Sequence, residues 1–129
     1  MKYSFCLFLI LLFGCAREVK PTVENINKIF ESKDFTFKFY DEEGSCKSLS
    51  FRHDYLVYKS DAPTVRRTIT YDEVLRINNF IQQIVNQHDN SLKSKRTDYY
   101  IIENTAYVAA IFPKNQEQSF SSLLTELGL

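Results

Sequence analysis

The chain has 129 residues, and its 16 Lys and Arg are balanced by 16 Asp and Glu, so the formal net charge is zero. Without a positive field it lacks the usual electrostatic basis for binding nucleic acid, and we exclude that class of partner. Only three glycines are present, which excludes the glycine-rich loops that bind nucleotide phosphates. The sequence contains no GxSxG, HExxH or CxxC motif, and we predict no cofactor.

The N-terminus combines one positive charge, Lys2, with an apolar run that ends in Leu12-Phe13-Gly14-Cys15. The 14 uncharged residues between Lys2 and Arg17 would span about 21 Å as a helix, too little to cross a hydrocarbon core of about 30 Å. An ordinary secretory signal prefers a small residue at the −3 position, where this chain has Leu12. The pattern resembles a bacterial lipoprotein signal. An ordinary signal peptide and a buried N-terminal helix are the alternatives.

The resemblance implies that a peptidase cleaves before Cys15 and that the Cys15 thiol carries the membrane lipid. Residues 1–14 would then be the signal peptide, 15–21 a lipidated tether and 22–129 a single domain. Ala16 follows the cysteine where an aspartate would mark retention at the inner membrane. The resemblance therefore favours the bacterial envelope, at the outer membrane facing the periplasm.

Short periodic runs fill the first half of the domain. Apolar residues at helical spacing predict a first helix over 22–30, after an irregular, charged tether. Strict alternation predicts a strand over 35–39 with three phenylalanines on one face. Further strands are predicted over 47–52 and 55–59, the second from its aromatic and β-branched content, and a fourth over 65–70. The connections are very short, which favours an antiparallel meander.

The most regular helical pattern follows Thr70. Thr70 and Glu73 match a capping box, and apolar residues recur at three- and four-residue steps from Val74 through His88. This spacing predicts an amphipathic helix of roughly five turns over 71–88. A polar, basic loop is expected over 89–96.

Two nearly all-apolar runs, 98–102 and 107–112, predict a hairpin around Asn104. Continuous apolar residues are typical of strands covered on both faces, so we expect something opposite the helices. A last helix is predicted over 116–127. The expected fold class is α+β: a mostly antiparallel sheet of about five or six strands, with one long amphipathic helix packed on one face and short flanking helices. Nothing in 16–129 resembles a particular family.

Cys46 is the one thiol that remains if the signal peptide leaves with Cys6 and Cys15 is acylated. No disulfide within the chain is then possible. Cys46 follows an acidic turn, and neighbouring carboxylates disfavour a reactive thiolate. We expect it to be buried at a strand start, with an intermolecular disulfide as the alternative.

Two His-Asp pairs, His53-Asp54 and His88-Asp89, combine residue types that bind metals. One pair falls in a predicted turn and the other at a helix C-terminus, where Asp and His are common without any ligand. Because structural and catalytic metal sites normally need three or four protein ligands, we predict no metal site. A small periplasmic hydrolase or metal-dependent enzyme using His53 or His88 is the alternative function.

Binding is the function that the remaining residues favour, because tyrosine is enriched at protein interfaces. The candidate contact residues are Tyr55, Tyr58, Tyr99, Tyr100, Asp41, Glu42 and Glu43. We predict a non-enzymatic module that binds another envelope protein, and in a sharper form an inhibitor or immunity-type protein whose acidic turn enters a basic active site. The basic loop is a weaker candidate for anionic headgroups. The sequence leaves the oligomeric state open.

Overall fold

A computed structural model describes residues 16–95 and 97–129 of the chain. The predicted signal peptide, residues 1–14, and the predicted lipidation site, Cys15, lie outside the described residues. Arg96 of the basic loop does as well.

The described residues form seven strands and three α-helices. The strands are β1 (Arg17–Glu18), β2 (Asp34–Tyr40), β3 (Cys46–Arg52), β4 (Tyr55–Lys59), β5 (Val65–Thr68), β6 (Tyr99–Glu103) and β7 (Tyr107–Ile111). The helices are α1 (Val23–Glu31), α2 (Tyr71–Asn86) and α3 (Phe120–Glu126), with a 3-10 helix over Asn90–Ser94. The 3-10 helix lies inside the segment expected to be a loop.

The strands form one sheet in the order β1-β7-β6-β2-β3-β4-β5. Strands β2 to β5 make the predicted antiparallel meander, and the β6-β7 hairpin joins it on the other side of β2. The mixed α+β class is confirmed, with seven strands rather than five or six. The additional strand is β1, which pairs in parallel with β7 and lies in the predicted tether.

The predicted starts of α1 and α2 are confirmed by their caps. The Thr22 hydroxyl accepts a hydrogen bond from the Asn25 backbone N–H at the start of α1. At the start of α2, the Thr70 hydroxyl accepts from the Glu73 N–H at 3.3 Å, and the Glu73 carboxylate accepts from the Thr70 N–H at 3.0 Å. Both orphan donors of the capping box are therefore satisfied.

Helix α3 is shorter than predicted. Ser119 accepts from the Ser122 N–H and caps the helix, so α3 begins at Phe120 rather than near 116. Its apolar face agrees with the prediction, because Phe120, Leu123 and Leu124 are buried. Among the residues that the structure describes, no helix has both the length and the apolar character needed to span a membrane.

All three helices contribute to one hydrophobic core on one face of the sheet. The strand residues in this core include Phe37, Leu49, Leu56, Tyr100, Ile102 and Ile111, which pack with helix residues such as Ile26, Phe80, Ile84 and Leu123. Successive side chains of a strand point to opposite faces, so the alternate residues lie on the second face. We call this second face the open face.

The open face carries Thr36, Lys38, Tyr40, Ser48, Ser50, Val57, Tyr99, Ile101, Val108 and Ala110. None of these residues belongs to the core that the helices cover, and of them only Val57 is buried. The expectation that the β6-β7 hairpin is covered on both faces is therefore wrong for the described part of the chain. Tyr99, Ile101, Val108 and Ala110 are half-buried at the surface.

Candidate functional site

Three aromatic rings line up at one end of the open face. The antiparallel register places Tyr99 directly opposite Tyr40, and their rings stack with centroids 4.9 Å apart and planes at 6°. Tyr99 also stacks on Phe112 at 5.4 Å and 23°. Stacked pairs of this kind stabilise beyond their buried area and fix ring orientation. Tyr40, Tyr99 and Phe112 thus form a preformed aromatic strip. Tyr40 and Tyr99 are half-buried, whereas Phe112, at 9% exposure, supports the ring of Tyr99 and offers little surface of its own.

An acidic turn lies on one side of this strip. One carboxylate oxygen of Asp41 accepts hydrogen bonds from the backbone N–H groups of Glu43, at 3.0 Å, and Ser45, at 2.9 Å. Gly44 has φ of +88°, which a residue with a side chain adopts only with strain. Asp41 therefore has a local role in shaping the turn, while the Glu42 and Glu43 side chains are exposed.

The basic loop lies on the other side of the strip. The 3-10 helix is capped by Asp89, whose carboxylate accepts from the backbone N–H and the hydroxyl of Ser91. These hydrogen bonds hold the pKa of Asp89 below its ordinary value. Between the turn and the loop is an open depression of about 520 Å³, whose walls include Glu42, Glu43, Lys93 and Lys95 and whose floor is Tyr99 and Phe112. We call it the turn–loop cleft.

The structure brings together only some of the predicted contact residues. Asp41, Glu42, Glu43 and Tyr99 meet in the turn–loop cleft. Tyr55 is exposed near the other end of the open face, at 39%.

Tyr58 and Tyr100 are not available to a partner, which corrects the expectation that they form part of the contact surface. They are only 8% and 0% exposed. In the sheet, Tyr58 lies opposite Leu49 on the neighbouring strand. Tyr100 lies opposite Phe39 and Ile111. All of these side chains are on the helix-covered face. Tyr100 has aromatic neighbours on every side, including Phe37 at 5.3 Å and Phe80 at 5.7 Å.

Tyr40 and Phe112 are the members of the strip that the sequence did not single out. Tyr40 is the last residue of β2, one beyond the strictly alternating part of its run, and Phe112 ends the apolar run 107–112, just past the end of β7. Extending the alternation of β2 by one residue would have placed Tyr40 on the polar face beside Lys38, since both are even-numbered.

Cys46 is exposed, so the expectation that it is buried is wrong. It begins β3 as predicted, but it is paired with Tyr40 on the open face, which the three described helices leave uncovered. Partial burial, together with the neighbouring Cys46 thiol, raises the pKa of the Tyr40 hydroxyl. At neutral pH Tyr40 is protonated, as tyrosine ordinarily is, and can donate a hydrogen bond.

The two histidines lie in separate places. His53 is in the β3-β4 turn at φ of +59°, and its backbone N–H donates to the Lys33 carbonyl at 3.1 Å. His88 Nδ1 accepts from the Phe112 N–H at 3.0 Å, beside the β7 edge. Burial lowers the pKa of His88, partly offset by Asp89. The cavities that they line share no residue.

No cluster of three or more His, Cys, Asp or Glu suited to a metal ion is found within residues 16–95 and 97–129. No family model, curated protein or solved structure matches this chain. The case for a function therefore depends on the geometry of the open face and on the sequence of residues 1–15.

Proposed function

We propose that this chain is a small, non-enzymatic protein-binding module of the bacterial envelope, and that the turn–loop cleft with its aromatic strip is the contact surface. The observation that carries the proposal is the placement of the helices on one side, which leaves stacked tyrosines on a sheet face that no helix of residues 16–95 and 97–129 covers. Tyrosine offers a large, rigid contact area with few rotatable bonds, and its hydroxyl tolerates water before the partner arrives.

The charges of the acidic turn favour a basic site on the partner, and Lys93 and Lys95 across the cleft would face acidic groups beside that site. Glu42 and Glu43 are exposed, and Asp41 holds the turn that presents them. Complementary charge increases association rate and specificity more than it increases affinity. An inhibitor or immunity-type role follows from this arrangement: the acidic turn enters the basic active site of a toxin or hydrolase while the aromatic strip packs against its rim.

The lipid anchor is part of the same proposal and is supported by the sequence of residues 1–15. One residue, Ala16, separates Cys15 from Arg17, the first residue of β1. If Cys15 is acylated, the β1 edge of the sheet would be held close to the bilayer, at the outer membrane facing the periplasm. Two or more acyl chains are needed for stable anchoring. Intact-mass measurement of the native protein tests this, since unmodified Cys15 or a retained leader would contradict it.

Site-specific photocrosslinking in the native envelope tests the contact surface. A photoreactive amino acid replaces Glu43, which is exposed at the cleft, and in a second variant it replaces Tyr71, which is 75% exposed at the start of α2. We expect one discrete crosslinked protein with Glu43 and none with Tyr71. Crosslinking of the same protein from both positions, or from Tyr71 alone, would contradict the proposed surface.

Charge reversal gives an independent measure once the partner has been identified. The double variant Glu42→Lys and Glu43→Lys should weaken binding and slow association, and the loss should shrink at high salt because exposed charges are screened. Glu117→Lys is the control, because Glu117 is exposed elsewhere in the domain. Equal loss of binding in the control would show that net charge, rather than the acidic turn, governs binding.

The histidines distinguish this proposal from the enzymatic alternative. A hydrolase or metal-dependent enzyme that uses His53 or His88 would lose its activity when both are replaced. A binding module should retain its crosslinked partner in the double variant His53→Gln and His88→Asn. Loss of a measurable catalytic activity, with the fold intact by circular dichroism, would favour the enzyme.

A further inference from the structure

A second cavity lies in the helical layer, on the far side of the sheet from the turn–loop cleft. It is a groove of about 340 Å³ between α1 and α2. The apolar residues that line it are Phe30, Phe35, Phe51, Val74, Leu75 and Ile77. Ligand pockets are mostly apolar with a few placed polar groups, and this groove is near the lower end of their usual range of about 300–1,000 Å³.

The groove exposes side chains that the sequence pattern assigns to the core. Val74 belongs to the apolar stripe of α2, yet it is 42% exposed, and its neighbour Leu75 is 40% exposed. Helix α1 touches α2 further along, where Gln82 donates to Asn27 at 3.3 Å. Because α1 has only nine residues, it does not cover the first turn of α2. The exposed apolar surface would be removed from water by a ligand between the helices.

One end of the groove is polar and holds two basic side chains. Lys33 and His53 line it, and both adopt left-handed backbone conformations, with φ of 57° and 59°. The hydrogen bond from the His53 N–H to the Lys33 carbonyl, at 3.1 Å, joins them. Lys33 forms no ion pair with any residue of the described ranges. Strained non-glycine residues cluster at functional sites, and here two of them meet at the mouth of one cavity.

We propose that this groove binds a single-chain anionic amphiphile, such as a medium-chain fatty acid. The hydrocarbon chain lies between Phe30 and Leu75, and the carboxylate is held at Lys33 and His53. The apolar lining alone would accept a neutral chain as readily, so the unpaired Lys33 is what selects an anion. The volume suits one chain rather than a helix of a partner protein. This site is independent of the contact surface on the open face.

Calorimetric titration of the full chain carrying Cys15→Ser, which has no acyl group of its own, tests the proposal. The probes are decanoate, decanol and decyltrimethylammonium, which share a ten-carbon chain and differ in charge. We expect saturable binding of one decanoate per chain, roughly tenfold tighter than decanol, since a charge-assisted hydrogen bond is worth about that factor. The cationic probe should bind weakest. Equal binding of all three, or no saturable binding of decanoate, would overturn the proposal.

Two variants locate the site. Lys33→Gln should weaken decanoate binding roughly tenfold and leave decanol unchanged, because only the charge-assisted contact is removed. Lys33→Arg should retain tight binding of decanoate. Leu75→Asp should abolish binding of both probes, and because Leu75 is 40% exposed its loss leaves the core intact. Lys28→Gln, which replaces an exposed lysine paired with Glu24 on α1, is the control. An effect of Lys28→Gln as large as that of Lys33→Gln would contradict the proposed site.

Discussion

The two faces of the sheet are built from the same strands but are stabilised differently. On the helix-covered face, Phe37, Leu49 and Tyr100 are fully buried among helix side chains. On the open face the contacts run from strand to strand: the Thr36 and Ser50 hydroxyls are 3.1 Å apart, and Lys38 pairs with Glu103 at 2.6 Å. Burial of apolar area dominates folding free energy, whereas exposed polar contacts contribute little. Substitutions on the open face should therefore cost less stability than substitutions in the core.

Substitution of Tyr99 and Tyr100, which are neighbours on β6, should give the largest difference in stability between the two faces. Tyr100→Ala removes a ring that is fully buried against Phe37 and Phe120, and should lower the free energy of unfolding by about 3–5 kcal/mol. Tyr99→Ala removes a half-buried ring stacked on Tyr40, and should lower it by only about 1 kcal/mol. Urea denaturation of both variants, followed by circular dichroism, measures the two values.

The same pair separates folding from binding. Tyr99→Ala should keep a cooperative transition but reduce crosslinking from the acidic turn, since Tyr99 forms the floor of the cleft. Tyr100→Phe is the matched control: it keeps the buried ring and removes only the hydroxyl, which accepts a hydrogen bond from Gln116. Similar losses of stability for Tyr99→Ala and Tyr100→Ala would show that the open face carries as much of the fold as the core.

Local patterns in the sequence predict most of the elements. The alternation at Phe35, Phe37 and Phe39 and the capping box at Thr70 and Glu73 each depend on contacts within a few residues, and both are found as expected. Strand β1 has two residues and no pattern of its own. It exists because Arg17 and Val19 donate to backbone carbonyls of the distant β7 hairpin, and such long-range pairing leaves no local signal.

The candidate site is predicted less well for a related reason. Residue type alone identified Glu42, Glu43 and Tyr99. The face to which Tyr58 and Tyr100 point depends instead on strand register. In a continuous apolar run the residues of the two faces cannot be told apart by hydrophobicity. The exposed Cys46 and Val74 show a further limit. Whether the end of a strand or helix is covered depends on the length of the element beside it.

A second prediction concerns the attachment of the helical layer to β5. Arg67 donates to the Glu73 carboxylate at 3.0 Å and to the Leu127 carbonyl at 2.6 Å, so it joins β5, α2 and the end of α3. Glu73→Ala removes this ion pair and half of the capping box, and should lower the free energy of unfolding by about 1–2 kcal/mol. Glu73→Gln keeps the capping geometry and should lose less than half of that amount.

The stability that the Glu73 carboxylate contributes should depend on pH, and it should be larger at neutral than at acidic pH. Arg67, and then the Thr70 N–H, hold the pKa of Glu73 below its ordinary value of 4.5. A lowered folded pKa contributes stability above the ordinary value, and this contribution is lost as the pH falls through the folded pKa. Wild type and Glu73→Gln should therefore differ by a constant amount from pH 7 to about pH 4.5, and the difference should shrink as the pH falls further, through the folded pKa. A difference that stays constant below about pH 4.5 would contradict the role of the charge.

A smaller pH-dependent effect on stability is expected from His88, which lies beside the end of β7. Its folded pKa lies below the ordinary value of 6.5 because of burial, so its contribution is present above about pH 6.5 and is lost as the pH falls through the folded pKa. His88→Asn keeps an acceptor for the Phe112 N–H and removes the titration. Its free energy of unfolding at neutral pH should lie within about 1 kcal/mol of wild type. As the pH falls from 6.5 through the folded pKa of His88, the wild type should lose stability relative to the variant.

The smallest effect on stability is expected from the ion pair at the centre of the open face. Lys38 and Glu103 are each about one-third exposed, at 30% and 32%, and a double-mutant cycle with Lys38→Met and Glu103→Gln should give a coupling of about 0.2–1 kcal/mol that decreases with salt. If a partner covers the open face, the pair loses its water, and breaking one side of a desolvated pair is far more damaging. Each single variant should then weaken partner binding by more than it weakens folding. If the single variants weaken binding and folding by equally small amounts, the partner does not cover Lys38 and Glu103. Its contact is then limited to the acidic turn.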